Sequence, residues 1–159
     1  MGMADRPDAA RVVADADVLA ADLLVGGAAR EALDHVRSHS WIELVATDRL
    51  LADTEAVVAT LVDPELAADH RERLERERVR VDQPAADHPA LASAYRGRAA
   101  HLLSYDERLR SARAGMRLRS RLSVSVRSPA AFARLFDPAA LHEAVEGGPY
   151  PGPDVDPRA

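Results

Sequence analysis

The chain has 159 residues, 47% hydrophobic and 30% charged, with a net charge of −5. That length suits one domain able to bury a core without covalent staples, and the balance excludes wholesale disorder. There is no cysteine, which excludes a disulfide scaffold, cysteine-ligated zinc, an iron–sulfur cluster and a thiol nucleophile. All 21 basic residues are arginine, which excludes a P-loop lysine, a Schiff base and a Ser–Lys dyad. The lysine-free, Asp-rich composition fits either the codon bias of a GC-rich genome or a salt-adapted, halophilic cytoplasm. No apolar run approaches the roughly 18 residues of a membrane helix, so no membrane contact is expected. The opening MGMADRPDAAR carries acid early and lacks an apolar stretch, so a cytoplasmic location is expected rather than a signal peptide.

In chain order, residues 1–10 read as a flexible leader. A single domain follows over 11–146, and a Gly/Pro-rich tail over 147–159 reads as disordered. The first apolar run, Val12–Ala14, is expected to be a strand ending at Asp15. A helix is expected over about 27–38, with Leu33 and Val36 inward, and a second strand from Trp41. Thr47 and Asp48 open a helix whose Leu50, Leu51, Val57, Val58 and Leu61 share one face. Asp63-Pro64 caps the charged helix ELAADHRERLERER, whose arginines alternate with glutamates as on a solvated face. A short strand at 79–81, a helix over about 88–97 capped by Asp87, and a strand from His101 come next. Beyond Asp106 lie a short arginine-rich helix and a strand in LSVSV. Two helices capped by Ser128-Pro129 and Asp137-Pro138 close the domain. Strands alternating with helices predict an α/β fold with a mainly parallel sheet and helices on both faces, a three-layer α/β/α arrangement.

In such sheets the working crevice lies at the carboxyl ends of the strands. Asp15 and Asp106 follow apolar strands, Asp87 stands at a helix start, and Asp53 sits on a helix that is otherwise apolar. Singly, Asp87 reads as a cap and Asp53 as a solvated helix residue. Together, such acids at one sheet edge would repel one another, and a divalent cation removes that penalty. Carboxylates and water are the hard oxygen ligands that Mg²⁺ and Mn²⁺ take. Asp17 could serve as a helix cap or as a group behind the ligands.

The segments VVADADVLAADLL, DHPALASAYRGRAAHLLSYDERL and VSVRSPAAFARLF resemble, in that order, the opening, second half and close of PIN-domain nucleases. The resemblance spans roughly residues 11–138. It implies a PIN-like fold and a metal-dependent ribonuclease, with Asp15, Asp87 and Asp106 as metal-binding acids and Ser104 as a hydroxyl lining the site. Asp53 falls where the family usually carries a helical Glu, with Glu55 as a rival two residues on. The implied partners are single-stranded RNA, an antitoxin protein, as for toxin-like members, and a second copy of the chain.

Nine arginines lie between Arg96 and Arg127 against two acids, Asp106 and Glu107, a local excess suited to holding phosphates. Aromatic residues are only 4%, so base stacking would be sparse and sequence reading is not expected. Two other functions compete. VVADADVL also resembles the opening of haloacid-dehalogenase-like phosphatases, with Asp15 as nucleophile, Asp17 as general acid and Thr47 in their second motif. That reading leaves Asp87 and Ser104 without roles. A catalytically silent PIN-like binding module is favoured by Asp in place of Glu at position 53.

Overall fold

Four short polar residues mark where extended chain turns into helix. The side chains of Thr47, Asp63, Ser128 and Asp137 each accept a hydrogen bond from a backbone amide three residues on. Proline follows at the first helical turn in three of these caps, where its missing N–H costs nothing. The computed structural model describes residues 7–83, 88–110 and 124–158. Its elements run β1 (Asp8–Ala14), α1 (Ala16–Leu24), α2 (Gly27–Arg37), β2 (Glu43–Thr47), α3 (Asp48–Leu61), α4 (Pro64–Glu77) and β3 (Arg78–Val81). There follow α5 (Pro89–Gly97), β4 (Ala99–Leu103), α6 (Glu107–Arg110), β5 (Ser125–Arg127), α7 (Pro129–Leu135) and α8 (Pro138–Val145).

The five described strands form one sheet in the order β3-β2-β1-β4-β5, and every pairing is parallel. Val12 lies opposite Leu44 on one side and His101 on the other. Right-handed crossovers place α1 to α4 on one face, because β1, β2 and β3 step outward in one direction. The return step to β4 carries α5 over the other face, where it packs across β1, β2 and β4. The protein is therefore an α/β fold with a parallel sheet between helical layers. Strand segments covered on both faces are apolar, which is why the buried stretches Val12–Ala14 of β1 and Leu44–Ala46 of β2 are continuous hydrophobic runs. Val12, Val13, Val45, Leu102 and Leu103 are almost wholly buried, each contributing about 1.5–3 kcal/mol of burial. Gly97 ends α5 against β2, where a methyl group would overlap the Val45 side chain. Only glycine lets these elements approach so closely.

The structure departs from the sequence expectations in several places. The strand β1 begins at Asp8, inside the expected leader, where Asp8 N donates to Arg98 O and pairs the strand with β4. Helix α1 was not foreseen. Its start is fixed by Asp15, whose carboxylate accepts from Ala16 N. The cap of α5 is His88, whose side chain accepts from Ala90 N; Asp87 lies outside the described residues, as do 122 and 123 of the last expected strand.

The segment from Gly147, expected as a disordered tail, runs back against the end of α2. His39 Nδ1–H donates to His35 O, so its Nε2 accepts from the Tyr150 hydroxyl at 2.6 Å. Asp154 N and Val155 N donate to Ser38 O, and the Asp154 carboxylate accepts from Ser40 N and its hydroxyl. The last carbonyls of a helix need outside partners, and this segment supplies donors to one of them. Its prolines restrict the unfolded chain and lower the entropy lost on docking.

Candidate functional site

The strand order reverses between β1 and β4, since β1 leads away to β2 and β3 while β4 leads to β5. Loops leaving these two strands diverge and open a crevice at their carboxyl ends. Asp15 ends β1, and Ser104, Tyr105 and Asp106 follow β4. The strand ladder continues into the site, because Asp15 N donates to Leu103 O and Ser104 N to Arg127 O.

A line of hydrogen bonds ties these residues together. Asp106 N donates to Ser104 Oγ at 3.0 Å, and Ser104 Oγ donates to Asp15 Oδ2 at 2.9 Å. Asp15 Oδ1 accepts from Ala16 N at 2.8 Å. Ser104 is fully buried and Asp15 is 8% exposed, so the serine hydroxyl fixes the orientation of the Asp15 carboxylate. Asp106 is more open. Its Oδ1 accepts from Arg108 N and Nε, and these bonds hold its carboxyl below the usual carboxylate range.

Asp17, in the first turn of α1, faces the same crevice without being a cap. Burial pushes its carboxyl up, the Asp15 charge adds to this, and Asp106 contributes more weakly. The amides of Val18 and Tyr105 act in the opposite direction. Its Oδ1 is buried and finds no partner among the described residues. Sequence reasoning left Asp17 as a cap or supporting group. The usable signal was its place two residues beyond a strand-end aspartate, in the first turn of a helix that begins at that strand end.

Asp53 does not join this group. It pairs with Arg49 across one turn of α3 at 3.1 Å and is 40% exposed. Its rival Glu55 accepts from Arg71 at 2.9 Å and ties α3 to α4. Helical periodicity placed both residues on α3 but could not say which neighbour that face meets. Asp87 lies outside the described residues. Thr47, at the end of β2, is committed to structure: it caps α3, donates to Gln83 Oε1 and has its amide on Ser93 Oγ. His88 stands close enough to Asp106 to help hold that carboxyl down. The His-Pro pair before α5 was a signal for this cap that sequence reasoning missed.

Among the described residues, no three Asp, Glu or His side chains stand close enough to grip a metal ion. Asp15, Asp17 and Asp106 nevertheless fit one chemically. They present hard oxygen donors, and among the described residues Asp17 Oδ1 has no partner and its charged neighbours are acids, a setting that a divalent cation would relieve.

The arginine excess divides. Arg113, Arg117, Arg119 and Arg121 fall outside the described residues. Arg96 and Arg98 lie at the far edge of the sheet, because α5 begins at the crevice and ends where β4 starts. Arg108 and Arg127 stand at the crevice edge. The arginines of α4 pair along their own helix as Arg71–Glu75, Arg73–Glu77 and Arg76–Glu72, the solvated face expected for that stretch.

A family model described as "Family of unknown function (DUF7384)" matches residues 6–158, and the chain belongs to that family. No curated protein and no solved structure matches the chain. No helix among the described residues is long and apolar enough to cross a membrane.

Proposed function

We propose that this chain is a PIN-like, metal-dependent ribonuclease of the cytoplasm that hydrolyses phosphodiester bonds in single-stranded RNA at the β1/β4 crevice. The observation that carries this reading is the hydrogen-bond bridge from Asp106 through Ser104 to Asp15, with the charge of Asp17 beside it, at the point where the sheet reverses its order. Asp15 and Asp106 would hold Mg²⁺ or Mn²⁺ directly, with Asp17 beside them; Asp87, the third acid that the resemblance implies, lies outside the described residues. When bound, the ion would polarise a phosphoryl oxygen and lower the pKa of a water for in-line attack. Ser104 keeps the Asp15 carboxylate aimed along the crevice, and the half-buried setting strengthens its hold on a cation. Arg108, now on Asp106, can turn outward to a phosphate, and Arg127 lies one strand away. Asp106→Asn should lower Mn²⁺-stimulated cleavage of single-stranded RNA about a hundredfold or more, with an unchanged far-UV spectrum. Full activity in that variant would remove the site.

The placement of Asp17 favours one second reading, a phosphatase with Asp15 as nucleophile and Asp17 as proton donor. Against it, the Thr47 hydroxyl is turned to Gln83 and caps α3, so it does not reach the crevice as the second motif would need. Turnover of p-nitrophenyl phosphate that disappears in Asp17→Asn, with no RNA cleavage in the parent protein, would select the phosphatase.

A further inference from the structure

We propose that a second pocket, between α1, α2, α4 and the C-terminal segment, binds a phosphate-bearing ligand through Arg30, Arg73, Arg158 and the ring of His70. The inference is independent of the nuclease reading, because the pocket uses the carboxyl half of α1 and none of the crevice residues.

The cavity measures about 250 Å³ and is lined by Asp22, Arg30, Arg37, His70, Arg73 and Arg158, among others. That volume suits a phosphate group with a small substituent. Four guanidinium groups meet there. Arg37 is fully committed, donating to both oxygens of Asp22 at 2.9 and 2.6 Å and to Glu77 at 3.3 Å. Glu77 also takes Arg73 Nε, and Asp34 takes Arg158 Nη2. Among the described residues, three carboxylates therefore pair with four guanidinium groups, which leaves one positive charge. Each of the remaining arginines keeps a free donor among the described residues. Arg30 is anchored through Nε and Nη2 on the Asp22 and Leu23 carbonyls, leaving Nη1. Arg73 leaves Nη1, and Arg158 leaves Nε.

His70 supplies a separate observation. It is 5% exposed, and both ring nitrogens lack a partner among the described residues. Native interiors seldom leave such groups unmet. Burial holds this ring below the ordinary histidine value, and Asp22, Arg37, Glu77 and Arg73 surround it. An oxyanion in the cavity would give the ring N–H an acceptor and neutralise the surplus charge together. Several separate guanidinium donors match a phosphate, with its several oxygens, better than a carboxylate with two. Because Arg158 and the Pro157 carbonyl border the cavity, the ligand would also brace the C-terminal segment.

The test is calorimetric titration of the full chain with inorganic phosphate, phenyl phosphate and acetate at constant ionic strength, alongside thermal melts. Phosphate and phenyl phosphate should bind and raise the melting temperature, with acetate at least about tenfold weaker. Arg73→Gln with Arg158→Gln should weaken phosphate at least about tenfold, whereas Asp106→Asn should bind as the parent does. His70→Phe removes both stranded nitrogens. It should melt no lower than the parent without ligand yet lose most of the phosphate-induced rise. No heat and no shift at about 10 mM phosphate would overturn the proposal, as would acetate binding equally or the arginine double variant binding like the parent.

Discussion

Two aspartates on the same helix meet opposite fates. Asp22, near the carboxyl end of α1, is 5% exposed and receives a two-pronged hydrogen bond from Arg37. Asp17, five residues earlier, has no Arg or His partner among the described residues; its charged neighbours there are Asp15 and Asp106, and its Oδ1 accepts no hydrogen bond from them. For Arg37, burial works against the charge, but the bonds and charges of Asp22 and Glu77 outweigh it and raise its pKa. The Asp22–Arg37 pair is closed within its own chain, as structural buried charge must be. The second is left electrostatically incomplete, the usual condition of a site awaiting something from solution.

The sharpest way to break this contrast is Arg37→Leu. It strands Asp22 and Glu77 and should cost about 3–5 kcal/mol in urea unfolding, with much of it restored by adding Asp22→Asn. A loss under about 1 kcal/mol would show that the pair is not the structural element described here. At the crevice the sign should reverse. Asp17→Asn relieves repulsion and should stabilise by a few tenths to about 1 kcal/mol, after allowing for solvent screening, while lowering RNA cleavage. Destabilisation in thermal melts would mean that Asp17 is held by contacts rather than strained by them.

Acid titration separates the regions further. Burial keeps His70 and His101 below the ordinary value of 6.5, Arg127 adding to the effect at His101. The unfolded chain therefore takes up these protons first, so stability is full above pH 6.5 and falls as the pH drops below it. Asp48 behaves as a second step. Hydrogen bonds from Arg80 and Arg78 lower it from 3.8 to about 2, so its stabilisation is present above pH 3.8 and lost on approach to about 2. A melting temperature flat between pH 7 and 5 would contradict the histidine step. The smallest effect belongs to Asp53→Asn, an exposed helix pair worth about 0.3–0.5 kcal/mol. We expect RNA cleavage in this variant to stay within about threefold of the parent. A loss matching that of Asp106→Asn would return Asp53 to the metal group.

Much of the fold was legible because its signals are local. Short apolar runs, period-3.6 apolar spacing and short polar caps before proline located β1, β2, α3, α4, α7 and α8 within a few residues. Asp15, Ser104 and Asp106 were legible as a group because strand ends in a parallel sheet share an edge. Asp53 was misplaced by the same reasoning, since a residue's position along a helix does not say which neighbour its face meets. The tail was misread because composition measures intrinsic preference. Its order depends instead on Tyr150 and Asp154 finding the end of α2 more than a hundred residues earlier.

Repeating short-range patterns were thus enough to specify the α/β class, the starts of α3, α4, α7 and α8 and the strand-end acids, because each depends on residues a few places apart. Which charges cancel depended on folding. Arg37 closing on Asp22, Glu55 turning to Arg71 and Asp17 being left beside Asp15 all follow from how helices stack across the sheet, and coulombic energy depends on that distance and burial rather than on separation along the chain.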